Sequence, residues 1–382
     1  MRILILGGTG AMGVSLVRIL EEKGKDEIFV TSRRSHEDRA HVHYLKGNAQ
    51  NDAWMDGILA KGPWDVIVDF MIYGTVHFQK RCPVLLKSTG QYVFFSSSRV
   101  YANAEGKKIT EETPRLLDTT NDEKYLKTDE YALAKAREEN ILRKAGKANW
   151  TIIRPYITYN DERLQLGTME KEFWLYRALH GRTVVFTKDV ADTLTTMTYG
   201  YDVAMGIASV LGKTEAMGQI FHIVQPKPMK WQKVAEIYQK TFQKVTGREM
   251  RIKYLPNAKE FSKVFNNHWQ VYCDRLYPRV FNNSKISHFL GPDYSWTTME
   301  KGLADCLTHF IREKHHFLQI NWEIEGWLDR KTGENTPILE IPGKSKKIVY
   351  LISRNLPHGE AELVLRALRM AKRVVKGKNG ME

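Results

Sequence analysis

Two residues four positions apart, Tyr131 and Lys135, have side-chain types and a spacing that can support proton transfer. On a helix this spacing places both side chains on one face. A phenol has a reference pKa of about 10 and is a poor base at neutral pH, but a nearby ammonium group favours the phenolate form. The pair therefore fits a tyrosine general base assisted by a lysine. An exposed helix face without any chemistry gives the same spacing.

A glycine-rich loop, Gly7-Gly8-Thr9-Gly10-Ala11-Met12-Gly13, directly follows the first apolar run of the chain. Glycines allow a tight turn and let the backbone approach a phosphate at the positive end of a helix dipole. The strand–loop–helix context is the one that dinucleotide binding requires, and an ordinary turn is the alternative. The predicted cofactor-binding residues of the loop are Gly7, Thr9, Gly10, Met12 and Gly13.

The end of the second predicted strand, Thr31-Ser32-Arg33-Arg34-Ser35, bears on which dinucleotide is bound. An acidic residue here would hydrogen-bond the ribose 2′-hydroxyl and favour NAD. The segment has no carboxylate, and its two guanidinium groups could pair with a 2′-phosphate. The sequence therefore favours NADP over NAD, with Ser32, Arg33 and Arg34 at the site, although a solvated basic loop explains the same residues.

The first 155 residues alternate apolar runs with amphipathic segments, which is typical of a doubly wound parallel sheet of the Rossmann type in the α/β class. Continuously apolar runs indicate strands buried on both faces. The predicted strands are Arg2–Leu6, Glu27–Thr31, Val42–Lys46, Asp65–Phe70, Gln91–Ser96 and Trp150–Arg154. The predicted helices are Met12–Lys23, Asp52–Lys61, Val76–Ser88 and Asp129–Ala145.

After Arg154-Pro155 this alternation breaks down. We predict helices at Met169–His180 and Asp202–Leu211, and strands at Thr183–Thr187, Leu194–Thr198 and Gln219–Val224, followed by a mostly helical region to residue 310. Residues 1–155 and about 184–225 are assigned to the NAD(P)-binding domain. Residues 156–183 and 226–310 are assigned to a smaller, mostly helical substrate-binding lobe, and residues 311–382 to a C-terminal extension.

The extension contains a predicted strand, Lys347–Ser353, and a predicted basic amphipathic helix, Gly359–Lys376. Residues 340–382 carry ten Lys or Arg and four Asp or Glu, so their net charge is +6. The helix could lie on an anionic membrane or dock a partner. We favour packing of its apolar face on the protein itself or on another subunit.

The composition argues against a disordered chain and against a membrane-spanning one. The chain has 382 residues, a formal net charge of +14 and 42% hydrophobic residues, and this hydrophobic share is too high for a disordered chain. No apolar run reaches the roughly 18–20 residues of a membrane span. The three cysteines lie far apart, which fits a reducing, cytoplasmic compartment. Neither they nor the histidines, including His315-His316, show metal-ligand spacing, so no metal is predicted.

Taken in order, the glycine loop, the Ser96-Ser97-Ser98 stretch and the Tyr131/Lys135 pair resemble the extended short-chain dehydrogenase/reductases, specifically the NAD-dependent epimerase/dehydratase family acting on nucleotide sugars. Further matches over roughly residues 1–310 are Ile153-Arg154-Pro155-Tyr156 and Tyr201-Asp202-Val203-Ala204. The resemblance implies that Tyr131 is the general base and that Lys135 lowers its pKa. It also implies that Lys135 holds the nicotinamide ribose and that Ser97, or Ser98 if the loop is offset by one, positions the sugar hydroxyl. A homodimer that pairs helices including Asp129–Ala145 is implied as well.

Three positions depart from the family pattern. Asn48 stands where an Asp often touches adenine, and the segment from Phe70 to Gly74 is bulkier than usual. Ser98-Arg99 replaces the Asp-Glu of the dehydratases, so 4,6-dehydration is not expected.

The expected function is an NAD(P)-dependent epimerase or reductase acting on a nucleotide sugar, and the sequence leaves the choice between the two reactions open. Basic residues that could bind the substrate pyrophosphate are Arg163, Lys171, Arg182 and Arg279. The alternative is a non-catalytic, NADP-sensing or RNA-binding protein with the same fold. The charge of +14 suits that alternative, but the intact Tyr131/Lys135 pair argues against it, and no nucleic-acid partner is predicted.

Overall fold

The computed structural model describes residues 1–313 and 316–378, without the side chains of Ala11 and of residues 372–378. Lys314, His315 and residues 379–382 lie outside this description. The chain divides into two compact units. The first consists of Met1–Arg163, Leu194–Lys230 and Tyr277–Cys306; the second consists of Leu164–Thr193, Trp231–Leu276 and the chain from Leu307 onward.

A seven-stranded, entirely parallel sheet forms the centre of the first unit. In chain order its strands are β1 (Arg2–Leu6), β2 (Glu27–Ser32), β3 (Val42–Lys46), β4 (Trp64–Asp69), β5 (Thr89–Phe95), β6 (Trp150–Ile153) and β7 (Gln219–Phe221). The spatial order is β7-β6-β5-β4-β1-β2-β3, with Leu4 opposite Phe29 on one side and Ile67 on the other. The predicted doubly wound fold is therefore confirmed.

Helices cover both faces of this sheet, which explains why its strands are continuously apolar. They are α1 (Ala11–Lys23), α2 (Asp52–Leu59), α3 (Thr75–Lys87), α4 (Tyr131–Lys144) and α5 (Gly200–Val210). Helices α1 and α5 pack together on one face, and α3 and α4 pack together on the other. The unit also contains helices Leu116–Thr119, Glu123–Leu126 and Ser284–Leu290 and the first part of Met299–Arg312.

The second unit contains a short parallel strand pair, Val184–Thr187 with Ile252–Leu255, surrounded by helices. The sequence grouped residues 184–187 with the NAD(P)-binding domain, whereas the structure places them here. The predicted strand Leu194–Thr198, which belongs to the first unit, is divided between two separate two-residue strand pairings. The main helices of this unit are Lys171–Leu179, Trp231–Thr246, Lys259–Val264, Trp322–Thr332, Lys344–Asn355 and His358–Lys378.

The prediction of a strand at Lys347–Ser353 was wrong, because this segment lies inside the helix Lys344–Asn355. Its β-branched, apolar run resembles a buried strand, but close packing against the helix Trp322–Thr332 determines the outcome. Gly326 allows that approach, since a Cβ there would lie 2.5 Å from the Tyr350 carbonyl oxygen. The predicted helix at Gly359–Lys376 is present as His358–Lys378, with Ala361 and Leu365 buried.

Within residues 1–313 and 316–378, no helix is long and apolar enough to cross a membrane. In the same part of the chain, no group of three or more His, Cys, Asp or Glu side chains could hold a metal ion.

Candidate active site

The glycine loop connects β1 to α1 at the carboxyl edge of the sheet. Gly7 has a φ of +69° and donates its N–H to Thr31 Oγ1 at 2.9 Å. At Gly13 a Cβ would lie 2.5 Å from the Gly8 carbonyl oxygen, so the close approach of helix and loop requires glycine. Gly10 caps α1 without a side-chain hydrogen bond, and the first turn contains no acidic residue. The amides at this helix end are therefore open to an anion.

A cavity of about 240 Å³ lies at this loop and is formed entirely by the first unit. It brings together several predicted site residues, namely Gly7, Gly10, Met12, Gly13, Tyr131 and Lys135. The remaining walls come from strand ends and the segments after them: Phe70, Met71, Ile72, Phe95, Ser96, Pro155, Thr158 and Arg163. Thr9, Ser32, Arg33, Arg34, Asn48, Ser97 and Ser98 do not line it.

Tyr131 is the first residue of α4, and its partly exposed side chain reaches the cavity. The preceding residue, Glu130, caps the helix by accepting from the Ala132 N–H at 2.9 Å. Glu130 also accepts from Arg99 at 2.5 Å, and the Arg99 guanidinium lies 5.4 Å from the centre of the Tyr131 ring. The cap and its ion pair thus fix the helix end that carries the candidate base.

Lys135 lies one turn further along α4, and its side chain is 2% exposed. Its Nζ donates to Glu138 Oε2 at 2.8 Å and lies 4.7 Å from the centre of the Phe94 ring. No second hydrogen-bond acceptor for this ammonium occurs among the residues that the structure describes. Burial raises the pKa of Glu138 to about 7. The sequence analysis missed Glu138, although a Glu three residues after a candidate lysine is a signal that could have found it.

The three consecutive serines have different partners. Ser96 Oγ donates to Glu139 at 2.6 Å, and Ser98 Oγ donates to the Arg154 carbonyl oxygen at 2.8 Å. Ser97 Oγ instead accepts from the Arg99 N–H at 3.2 Å, so its own hydroxyl proton is not used in that bond. The geometry therefore favours Ser97 over Ser98 as a donor to a reacting oxygen.

A buried ion-pair network below the serines joins β6 to α4. Arg154 binds both carboxylate oxygens of Glu139, at 2.7 and 2.6 Å, and Arg115 reaches the same carboxylate at 3.1 Å. These contacts hold the pKa of Glu139 below its ordinary value despite its burial. The Arg154-Pro155 segment is thus fixed next to the helix that carries Tyr131.

The basic loop after β2 is exposed, and it lies outside the cavity lining. Ser32 Oγ accepts from the Arg34 N–H at 3.1 Å and contacts His36 Nε2 at 3.0 Å. The guanidinium groups of Arg33 and Arg34 have no hydrogen bond or ion pair with the described residues. Asn48, also exposed, uses its side-chain oxygen to accept from the Gln50 N–H at 3.1 Å.

Of the four basic residues suggested for a substrate pyrophosphate, only Arg163 lines the cavity. Arg279 is buried and donates to the Tyr101 carbonyl oxygen at 3.1 Å. Lys171 and Arg182 belong to the second unit, where both are buried and paired with carboxylates.

A dinucleotide fits the donor groups at this edge of the sheet. The amides at the start of α1 are open, and the backbone at Gly7 and Gly13 leaves no room for a side chain. Lys135 has ammonium protons that are not used in its bond to Glu138. The Met71 side chain narrows the space at the glycine loop, because its Sδ lies 3.0 Å from where a Gly7 Cβ would be. An unbranched thioether side chain can change rotamer to make room.

Comparisons with known proteins agree with this geometry. The model of the NAD dependent epimerase/dehydratase family matches residues 3–223. The fold is similar to that of dTDP-glucose 4,6-dehydratase from Bacillus anthracis in complex with NAD (TM-score 0.60, 19% identity, covering 82% of this chain and 97% of that one). It is also similar to that of UDP-glucuronic acid 4-epimerase from Bacillus cereus in complex with UDP-glucuronic acid and NAD (TM-score 0.61, 15% identity, covering 82% and 100%).

A curated relative of a different kind also matches. The chloroplast stem-loop binding protein of 41 kDa b from Arabidopsis thaliana is 26% identical over 238 residues, which are 58% of this chain and 58% of the relative. The match thus spans less than two thirds of the relative's length. Because the family model covers more than half of the sequence, the chain belongs to the NAD dependent epimerase/dehydratase family.

Proposed function

We propose that this protein is an NAD(P)-dependent oxidoreductase or epimerase that acts on a nucleotide-activated sugar. The observation that carries the proposal is the placement of Tyr131 and Lys135 on the wall of the cavity at the glycine loop. A bound nicotinamide dinucleotide would supply the hydride acceptor or donor. Tyr131 moves the proton of the sugar hydroxyl. Ser97, whose neighbour Ser96 lines the cavity, orients that hydroxyl, since the Ser97 proton is not used in the bond from the Arg99 N–H.

The other site residues serve binding. Among the described residues, Lys135 has one hydrogen-bond acceptor for its three N–H groups, so two protons are available for the ribose hydroxyls. The first-turn amides of α1 meet the pyrophosphate. Arg33 and Arg34 are exposed and without ionic partners among the described residues, which supports a preference for the 2′-phosphate of NADP.

The nucleotide-sugar substrate is proposed from the family and from the substrates named for the structural neighbours. Ser98 and Arg99 stand where the dehydratases have Asp-Glu, and both are engaged, with the Arg154 carbonyl and with Glu130. They offer no acid to a leaving hydroxyl, so epimerisation or reduction is favoured over 4,6-dehydration.

The test combines binding with product analysis. Titration with NADH and NADPH, followed by their fluorescence, measures cofactor affinity and preference, and Arg33→Ser/Arg34→Ser is expected to weaken NADPH binding more than NADH binding. Incubation with UDP- and dTDP-sugars, followed by NMR, separates net cofactor consumption (reduction) from product formation without it (epimerisation). Tyr131→Phe is expected to lower turnover about 10²- to 10⁴-fold with dinucleotide binding retained. Unchanged turnover in Tyr131→Phe would contradict the catalytic role.

A second candidate function is RNA binding, favoured by the name of the Arabidopsis relative and by the net charge of +14. Gel-shift titration with an RNA stem-loop and with a single strand of the same composition, at 50 and 200 mM salt, tests it. Stem-loop preference that survives at the higher salt would support this function, since a purely electrostatic contact weakens steeply with salt.

A homodimer that includes α4 also remains a prediction, to be tested by light scattering.

A further inference from the structure

Glu138 is a buried carboxylate whose position stability alone does not explain. Its side chain is fully enclosed, and Oε2 accepts from Lys135 Nζ at 2.8 Å. The other oxygen, Oε1, has no hydrogen-bond partner in the described part of the chain. Leaving a charged oxygen without a partner is unfavourable in a folded protein. An apolar residue would fill this position on α4 at lower cost, so the carboxylate points to a role at the neighbouring cavity.

A second enclosed carboxylate lies close to the same ammonium group. Asp69, at the end of β4, accepts from the hydroxyls of Tyr73 and Tyr92 at 2.9 and 2.7 Å. Its negative charge, like that of Asp129 before α4, acts on Glu138 in the same direction as burial and favours the protonated form.

The helix packed against α4 adds no unpaired charge from its buried face. The enclosed titratable groups of α3 are Arg81, which pairs with Asp52, and Cys82. Burial raises the pKa of the Cys82 thiol to about 12, so it stays neutral. Lys135 therefore offsets Glu138 and Asp69, whereas Asp129 is paired with Arg137 at 3.1 Å.

We propose that Glu138 is a positioning residue that holds the Lys135 ammonium at the cavity wall and, by gaining or losing a proton, sets how much positive charge the cavity receives. The proposal rests on the dinucleotide site proposed above. When Glu138 is ionised, the Lys135–Glu138 pair is nearly neutral. When Glu138 is protonated, the charge of Lys135 is no longer offset, and an anion in the cavity is bound more tightly.

The direction of the pH effect follows from the titration of Glu138. Burial raises its pKa to about 7, so the carboxyl group ionises between pH 6 and pH 8. Because a negative charge then appears below the cavity, affinity for an anionic dinucleotide falls as pH rises. Two unit charges about 10 Å apart, at an effective dielectric constant near 20, would change affinity roughly 16-fold without salt, and partial screening by salt reduces this change to roughly three- to tenfold.

The experiment measures NADH and NADPH affinity by fluorescence between pH 6 and pH 8, for the full chain and two variants. NADH is the main probe, because its pyrophosphate keeps its charge over this range, whereas a phosphate monoester titrates near pH 6. Glu138→Gln keeps an oxygen for Lys135 but cannot ionise. Glu123→Gln is the matched control at an 83%-exposed position.

The wild type and Glu123→Gln are expected to lose three- to tenfold in affinity over this range, and Glu138→Gln is expected to keep the affinity that the wild type has at pH 6. The same pH course in wild type and Glu138→Gln would overturn the proposal and leave the dinucleotide site standing. Absence of NADH and NADPH binding in the wild type would instead overturn the proposed function, and this inference with it.

If circular dichroism shows that Glu138→Gln does not fold, Glu138→Asp replaces it, because that variant keeps the charge and only withdraws it from Lys135. Weaker binding at every pH, with the pH course retained, is then the expected result. Affinity equal to that of the wild type would overturn the positioning role.

Discussion

Two buried cations, one in each unit, are neutralised in contrasting ways. In the second unit, Arg177 uses all five of its N–H groups, donating to the Thr183 carbonyl, Glu325, Asp329, Thr332 and Glu334 at 2.8–3.3 Å. In the first unit, Lys135 has one acceptor, and that acceptor, Glu138, has an oxygen without a partner among the described residues. A saturated network fixes a structure, whereas an unsaturated one retains hydrogen-bonding capacity for a ligand.

The Arg177 network also explains the C-terminal extension. Its acidic partners lie about 150 residues away, within 325–334, and Tyr350 donates to Asp329 at 2.6 Å. The described residues beyond 311 thus belong to the second unit.

The largest effect that separates the two networks is expected from Arg177→Met. This substitution leaves Asp329 enclosed without its cation and leaves Glu325, among the described residues, with Arg182 alone at 3.2 Å, and the two effects together cost about 3–5 kcal/mol. Thermal and denaturant unfolding measure the loss. Arg251→Met, at a half-exposed position where Arg251 binds the same Glu334, is the control and should cost less than about 1 kcal/mol. Equal losses in the two variants would contradict the structural role assigned to the buried Arg177.

Lys135→Met is expected to have a smaller effect on stability. Glu138, with a pKa of about 7, can take up a proton when its partner is removed, so the loss should be about 1–2 kcal/mol. Dinucleotide binding should nevertheless weaken strongly, because the donors that we propose for the ribose are gone. A stability loss as large as that of Arg177→Met would show that Lys135 is a structural cation as well.

The pH dependence of stability gives the next comparison. Burial raises the pKa of both Glu138 and Glu325 to about 7, from an ordinary value near 4.5. The folded state therefore holds protons that the unfolded chain releases, and stability falls as pH rises from about 4.5 through 7. Glu138→Gln and Glu325→Gln should each reduce the loss of unfolding free energy over this pH range by about 1–3 kcal/mol. An unchanged melting-temperature profile in both variants would contradict the raised pKa values.

The smallest effect is expected for membrane binding by the last helix. Ala361 and Leu365 are buried, which supports packing of its apolar face on the protein, although Leu363 and Met370 are exposed. Flotation of the full chain with anionic liposomes at low and high salt should recover the protein in the unbound fraction. Salt-sensitive flotation would show that the exposed side chains and the basic residues together bind lipid.

Local patterns were sufficient to predict much of the fold and part of the site. The glycine loop, the six leading strands and the Tyr131/Lys135 spacing depend on neighbours within a few residues, and the structure places them as predicted. The failures concern segments whose partners are distant in sequence. Lys344–Asn355 is helical because it packs on Trp322–Thr332. Residues 184–187 pair with residues 252–255, and the pattern of apolar residues within either segment does not indicate this partner.

By itself, the sequence determined the parallel sheet, the glycine turn between β1 and α1 and the one-turn separation of Tyr131 from Lys135, because chain geometry fixes each of them over a short range. Only the tertiary structure decided which of three adjacent serines accepts a hydrogen bond while the other two donate, that Lys135 is paired with Glu138, and that Arg177 binds Glu334. These outcomes depend on which polar groups burial brings together, since an enclosed charge must find its partner wherever the fold places one.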